Sequence, residues 1–187
     1  MSNSYSKKWD DPDFREIANF LVENGVKMPL LVRIGLIKSG EESLFQRYIR
    51  LNHLTPMRGR QATSVSLKDS NMRRHLLTAL RCYHRQDLTS ASKENNLARA
   101  IVTAYRHFCL LHNIEEVGTK LTLDRFILAV TSQEMSNIVI DTCPECSAKY
   151  IRSTHEVTET FGCTSCELEI KPIFTSKIAQ QNVRKYG

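Results

Sequence analysis

Four cysteines in two close pairs constrain the C-terminal part of this chain more than any other feature. Cys143 and Cys146 form the first pair and Cys163 and Cys166 the second, with two residues inside each pair and sixteen between the pairs. This spacing is typical of a tetrahedral zinc site with four thiolate ligands. The intervening segment has two β-branched and aromatic runs with a polar break near His155, which predicts a hairpin and therefore a zinc ribbon.

Four thiolates complete a tetrahedral coordination sphere and leave no position for a water molecule. We therefore expect one structural Zn²⁺ and no enzyme activity. A disulfide or redox pair and an iron–sulfur cluster are the alternatives. His155 is an alternative ligand, but four cysteines suffice, so we expect it in a surface turn. Cys82 and Cys109 lack metal-binding spacing and lie in apolar helical segments, so we expect them to pack in the core.

The positive charge of the chain is concentrated in one segment. The net charge is +6, and residues 41–85 alone hold nine lysines and arginines against three acids, an excess of six. Eight of the nine are arginine, the residue suited to bidentate contact with phosphate and guanine. The segment therefore indicates nucleic-acid contact, and the alternative is a solvated helical face.

Apolar residues recur at helical spacing along most of the chain before the cysteines. Gly25 fits a helix stop, Pro29 a helix start, and Ser39 with Glu42 a capping box. In the helix that follows, a broad stripe is predicted to be buried, made of Leu44, Phe45, Tyr48, Ile49 and Leu51.

The fold class predicted from these patterns is mainly α. We expect a helical body over residues 1–136, whose central core helix contains Leu97 to Leu111. A small C-terminal four-cysteine zinc ribbon over 137–171 follows, opened by a short strand before Cys143, and a basic tail covers 172–187. The first residues have no apolar core of a secretory signal, and no apolar run is long enough to span a membrane, so a cytoplasmic location is expected.

The order of these elements resembles FlhC, the larger subunit of the bacterial flagellar master transcription activator. The segments that carry the likeness are "SLFQRYIRLNHL", "ARAIVTAYRHFCLLHN", "LTLDRFILAVTSQEMSNIVIDTCPECSAKYI" and "FGCTSC". The match is best over residues 97–166 and looser over 28–54.

The resemblance implies a structural zinc on the four cysteines and an FlhD-like helical partner in a hetero-oligomer. It also implies binding to double-stranded promoter DNA at the bacterial nucleoid and recruitment of RNA polymerase. Flagellar members carry a Pro-Pro-Lys-Gly and Leu-Pro-Phe-Ser type segment where this chain reads "TPMRGRQATSVSLKDS". FlhC-like activators also switch on conjugative-transfer genes of mobile elements, and the different segment favours that function here. A flagellar regulator is the alternative.

Residues 28–54 resemble a loose helix-turn-helix, whose second helix would enter the major groove. The expected contact residues are Gln46, Arg47, Arg50, Arg58, Arg60, Arg73, Arg74 and Arg81. The alternative for these helices is contact with the partner subunit. An RNA-binding zinc-ribbon protein is an alternative of another class, although the ribbon offers only Tyr150 and Phe161 as aromatic stacking residues.

Overall fold

The fold is mainly helical, with one two-stranded sheet near its C-terminal end. The computed structural model describes residues 8–56, 65, 67–86, 96–112, 121–134, 137–154 and 163–166. Its helices are α1 (Pro12–Glu23), α2 (Met28–Arg33), α3 (Glu42–Leu51), α4 (Ser70–His84), α5 (Asn96–Leu111) and α6 (Leu123–Glu134). The strands are β1 (Ile138–Thr142) and β2 (Lys149–Ser153). No helix in these ranges is both long and apolar enough to cross a membrane.

Residues next to helix α1 determine both of its ends. The Asp11 carboxylate accepts a hydrogen bond from the Asp13 backbone N–H, and Pro12 occupies the first turn, where its missing N–H costs nothing. Gly25 follows the helix with a φ of 80°, a conformation that glycine adopts without strain. The predicted stop at Gly25 is therefore confirmed.

Helix α5 lies at the centre of the helical body, as predicted. It contacts α1, α4 and α6. Phe108 and Tyr105 are fully buried, and the Tyr105 hydroxyl donates to the Leu121 carbonyl at 2.9 Å, which ties α5 to the segment before α6. Cys82 and Cys109 are buried in the same core, which confirms their predicted packing role.

Helix α3 differs from the sequence-based prediction at its start. It begins at Glu42 with Glu41 at the N-cap position, so the capping box from Ser39 to Glu42 is wrong. The chain turns at Gly40, whose φ is 93°, and this leaves Ser39 outside the helix. The Glu42 carboxylate accepts from the Gly40 N–H at 2.7 Å instead.

The buried stripe predicted on α3 is only partly correct. Phe45 and Tyr48 are buried, but Leu44 is 42% and Leu51 67% exposed. An aromatic cluster orients the helix, because the Trp9 ring packs on Phe45 and Tyr48 and the Phe14 ring packs on Tyr48, with ring centroids 5.6–6.1 Å apart. This contact turns the face with Leu44 and Leu51 outward.

The structure does not show a helix-turn-helix. Helices α2 and α3 are both present, but residues 34–41 connect them, which is longer than the three or four residues typical of that motif. Leu36 and Ile37 of the connection are buried in the core. The connection is therefore a packed segment of the body.

The strands form an antiparallel hairpin whose turn holds the first cysteine pair. Ile138 pairs with Ser153, Ile140 with Ile151, and Thr142 with Lys149. The strand predicted before Cys143 is confirmed. Strand β2 pairs with β1, and the hairpin predicted between the two cysteine pairs stays a prediction. Residues 155–162, which would supply the second arm of the predicted hairpin, lie outside the described residues.

The hairpin packs on the helical body. Strand β1 contacts α6, and β2 contacts α4. Ile138 and Ile151 are 5% and 1% exposed and belong to the same apolar core as the helices. The helical body therefore supports the position of the cysteines.

Candidate metal centre and basic surface

The four paired cysteines meet at one point in the fold. Cys143 follows the last residue of β1 and Cys146 lies in the hairpin turn, while Cys163 and Cys166 flank a short helical turn. The ligand atoms of these four residues all lie within 4.8 Å of one another. The arrangement could hold a metal ion, as the spacing predicts.

The distances between sulfur atoms fit a single ion. Cys143 Sγ lies 3.7 Å from Cys166 Sγ, and Cys146 Sγ lies 3.6 Å from Cys163 Sγ. A disulfide would bring two sulfurs to about 2.05 Å. A tetrahedral ion with metal–sulfur bonds of about 2.3 Å sets its thiolates about 3.8 Å apart. A cluster of several irons holds its thiolates on separate atoms and needs a wider cradle. The geometry thus favours one tetrahedral ion.

Backbone turns hold the first cysteine pair in place. The Cys143 N–H donates to the Ala148 carbonyl, and the Ser147 N–H donates to the Cys143 carbonyl, both at 2.9 Å. Ser147 has a φ of 59°, which lets the chain reverse immediately after Cys146. Pro144 lies inside this turn, as the sequence suggests.

The four thiols do not ionise alike. Burial opposes ionisation of Cys163, but hydrogen bonds from the backbone N–H groups of Cys166 and Ser165 and from the thiols of Cys146 and Cys143 lower its pKa to about 7. Hydrogen bonds to the Cys146 and Cys143 thiols raise the pKa of Cys166. The Cys163 thiol therefore ionises more readily than the Cys166 thiol. A bound cation would compensate the negative charge of the thiolates and so favour their ionisation.

The centre is built into the fold on one side and open on the other. Cys143 and Cys163 are buried, Cys166 is half-buried and Cys146 is exposed. Thr164 beside Cys163 is also buried. His155, the alternative ligand, and Phe161 lie outside the described residues, and Tyr150 is half-buried on β2.

The predicted contact residues of α3 lie at the surface. Gln46, Arg47 and Arg50 are exposed. The Arg50 Nε–H makes only a long contact of 3.4 Å with the Gln46 carbonyl of its own helix. The side chains of Gln46 and Arg50 lie on one side of α3, and Arg47 lies towards Leu44 and Leu51.

The predicted contact residues of α4 have different environments. Arg81 is exposed, and Arg74 is half-buried and donates to the Asn71 side chain at 2.7 Å. Arg73 is only 3% exposed, and its guanidinium donates to the Leu67 carbonyl at 2.8 Å. The Arg73 guanidinium is therefore not at the surface, where a residue that contacts DNA would have to be. Arg58 and Arg60 lie outside the described residues.

Arginines inside and outside the basic segment differ in their partners. Arg15, Arg99, Arg106 and Arg152 each form an ion pair at 2.6–2.9 Å, with Asp10, Asp13, Glu16 and Asp141 respectively. In the described part of the chain, no carboxylate pairs with the following arginines of the basic segment: Arg47, Arg50, Arg74, Arg81 and Arg85. The basic segment therefore carries uncompensated charge on the folded surface.

Sequence reasoning missed one surface feature. Trp9 and Leu44 line a groove beside α3, where periodicity predicted a buried Leu44. The sequence held one signal for this groove. The apolar stripe on α3 is wider than a single contact face, and Arg47 lies within it. Arg85, which the sequence did not place among the contact residues, is exposed one turn after Arg81.

No protein-family model and no curated protein matches this chain. The likeness to FlhC therefore rests on the motifs in the sequence alone. The geometry itself shows a cluster of four thiols that could hold a metal ion and a set of arginines that have no carboxylate partner among the described residues.

Proposed function

We propose that this chain is a DNA-binding subunit of a transcriptional activator, stabilised at its C-terminal end by one structural Zn²⁺. The observation that carries the proposal is the contrast between paired and unpaired arginines. A solvated face gains by pairing its charges, whereas a phosphate-binding surface keeps its guanidinium groups available. Arg50, Arg81 and Arg85 are exposed and have no carboxylate partner in the described part of the molecule, whereas Arg74 is half-buried and donates to the Asn71 side chain.

The proposed DNA contacts divide into two kinds. Gln46 and Arg50 on α3 reach base edges or phosphates, and Arg74 and Arg81 on α4 contact the backbone. Arg58 and Arg60, in the segment between these helices, are proposed to track phosphates or the minor groove. Arg73 is left out of the set because its guanidinium is buried against Leu67.

Zinc is the metal that this donor set favours. Thiolates are soft ligands, and four of them at tetrahedral spacing suit Zn²⁺. The coordination sphere would be complete, which supports a structural centre and a protein that is not an enzyme. Cys143, Cys146, Cys163 and Cys166 would hold the ion and so join the β hairpin to the segment around residue 165.

The biological role follows the resemblance to FlhC. We propose that the chain works in the bacterial cytoplasm in a hetero-oligomer with an FlhD-like helical partner. The complex would bind double-stranded promoter DNA in the nucleoid and recruit RNA polymerase. Conjugative-transfer promoters of a mobile element are the proposed targets, and the segment after α3 that differs from flagellar members supports them over flagellar promoters.

Genome-wide occupancy tests this proposal. The full-length chain, tagged in its own host, should co-precipitate with discrete DNA sites upstream of transfer genes, and deletion of its gene should lower their transcripts. An Arg50→Ala, Arg81→Ala double variant should lose occupancy. The matched control is Arg99→Ala, because Arg99 is engaged with Asp13 at 2.8 Å. Sites upstream of flagellar genes would support the alternative, and recovery of RNA without DNA would overturn DNA binding.

A further inference from the structure

Helix α3 presents two leucines to solvent on one face. Leu44 and Leu51 lie two turns apart, and 42% and 67% of their surfaces are exposed. Tyr48 lies one turn from each of them and is 7% exposed. The apolar surface of this face therefore continues from the buried aromatic cluster out to solvent.

A groove of about 370 Å³ lies along this face. Its apolar walls come from α3 and from the segment that precedes α1. The residues lining it are Trp9, Asp10, Arg15, Leu44, Arg47, Tyr48, Leu51 and Asn52. A volume of this size admits one or two large side chains of a partner, and the helical wall suits a second helix laid against it.

The charges around the groove leave one cation uncompensated. Arg15 is held in place, because it donates to the Trp9 carbonyl and to the Asp10 carboxylate, both at 2.9 Å. The Asp10 carboxylate thereby compensates Arg15. Arg47 has no hydrogen-bond or ionic partner within the ranges that the structure describes. An occupant of the groove would therefore meet apolar surface and one unpaired guanidinium.

We propose that this groove binds an amphipathic helix of a protein partner. The helix places an apolar side chain between Leu44 and Leu51 and a carboxylate on Arg47. A carboxylate one helical turn from the apolar side chain matches the spacing from Arg47 to its neighbouring leucines. The inference deepens the proposed function by assigning a surface to the protein partner, and it does not depend on DNA binding.

Protein fits this surface better than nucleic acid does. Surfaces that bind phosphate are wet and strongly positive, and they gain affinity from several cations together. Here Arg47, which has no partner among the described residues, stands between two exposed leucines and near a tryptophan. Tryptophan and arginine are enriched among the energetically important residues of protein interfaces, and the core of such an interface is more apolar than its rim.

Site-specific photocrosslinking tests the surface directly. The probe is p-benzoylphenylalanine in place of Leu44 in the full-length chain, expressed in its own host, with the same probe at the exposed Lys38 as the control. We expect a protein adduct at position 44 and none at position 38. Mass spectrometry should map the adduct to a helical segment with Asp or Glu three or four residues from a large apolar residue.

Charge reversal then tests the role of Arg47. Arg47→Glu should weaken association with the crosslinked partner at least about tenfold, because it puts like charges together. An Asp or Glu to Arg change at the mapped partner position should restore association with Arg47→Glu. The matched control, Lys38→Glu, should change association less than about twofold, since an isolated exposed charge contributes little.

The possible outcomes separate this inference from the proposed function. If the unaltered chain occupied no discrete DNA sites but still formed the protein adduct at position 44, the DNA-binding proposal would be wrong and the groove assignment would stand. An adduct with DNA, an adduct with a second copy of this chain, no adduct, or failure of the reciprocal reversal would each overturn the groove assignment. Normal DNA occupancy in these cases would leave the proposed function in place.

Discussion

Cys143 and Cys166 stand 23 residues apart in the chain, yet their sulfur atoms lie 3.7 Å apart. Cys143 belongs to a hairpin that packs on the helical body, so its position is fixed by the body. Cys166 lies in a short helical turn that also carries the buried Thr164 and follows the buried Cys163. A metal ion bound by all four cysteines would therefore join this turn to the hairpin.

The first prediction concerns the metal. Purified full-length protein should contain one zinc per chain. Cys146→Ser should abolish that zinc, because it removes one of four ligands, and structural zinc contributes roughly 10–16 kcal/mol in small finger peptides. Metal analysis and thermal unfolding measure both effects. Cys82→Ala is the matched control, because Cys82 is buried away from the four-cysteine cluster, and it should retain one zinc. Stable, fully folded protein without metal would contradict this prediction.

The second prediction concerns the reactivity of the six cysteines. In metal-loaded protein, a thiol reagent should modify none of them quickly. A chelator should expose Cys143, Cys146, Cys163 and Cys166 together. Cys82 and Cys109 should react only on unfolding, since both are buried and burial raises the pKa of the Cys82 thiol.

Counting modified thiols before and after chelation, and again in denaturant, checks the thiol prediction. A Cys82→Ala, Cys109→Ala double variant should still yield four thiols after chelation and no more in denaturant. If the reagent modified all six thiols rapidly after chelation and without denaturant, the metal centre would be needed to keep the whole helical core folded. The separate burial of Cys82 and Cys109 argues against that result.

The metal cluster could be predicted from the sequence because two C-x2-C turns confine their ligands locally. Each turn brings its own two thiolates together independently of the rest of the fold. The only long-range contact left to infer is therefore the one between the two cysteine pairs. Helix stops such as Gly25 were equally local. These features depend on a few neighbouring residues, and the structure agrees with them.

The error in the buried stripe predicted on α3 has a different origin. Helical periodicity identifies an apolar face, but it does not say whether the chain supplies the surface that covers it. Leu44, Leu51 and the buried Tyr48 have the same spacing in the sequence, yet only Tyr48 meets the aromatic cluster. In the same way, the sequence does not distinguish the neighbouring Arg73 and Arg74. In the fold, the Arg73 guanidinium is buried and donates to the Leu67 carbonyl, whereas Arg74 is half-buried.

The third prediction concerns the link between the hairpin and the helices. Ile151→Ala should lower the free energy of unfolding by about 2–5 kcal/mol, because Ile151 is 1% exposed in the shared core. The loss should appear in the helical circular-dichroism signal as well as in the release of metal. Lys149→Ala, exposed two residues away on the same strand, should change stability by less than about 0.5 kcal/mol. Helices that melt unchanged in Ile151→Ala would show that the hairpin is independent of the body.

The last prediction separates two arginines of α4 that have opposite environments. Arg81→Ala should leave stability nearly unchanged and lower the salt slope of duplex binding by about 0.9 in log–log terms, because it removes one proposed phosphate contact. Arg73→Ala should instead cost about 1.5–3 kcal/mol of stability, because it removes the charged donor from the Leu67 carbonyl. Folded Arg73→Ala protein should keep the parental slope. Titration of both variant complexes against duplex DNA at several salt concentrations, alongside denaturant unfolding, measures the two effects. Parental binding by Arg81→Ala at every salt concentration would remove Arg81 from the DNA surface, and a reduced slope for stable, folded Arg73→Ala would show that Arg73 leaves its buried position when DNA binds.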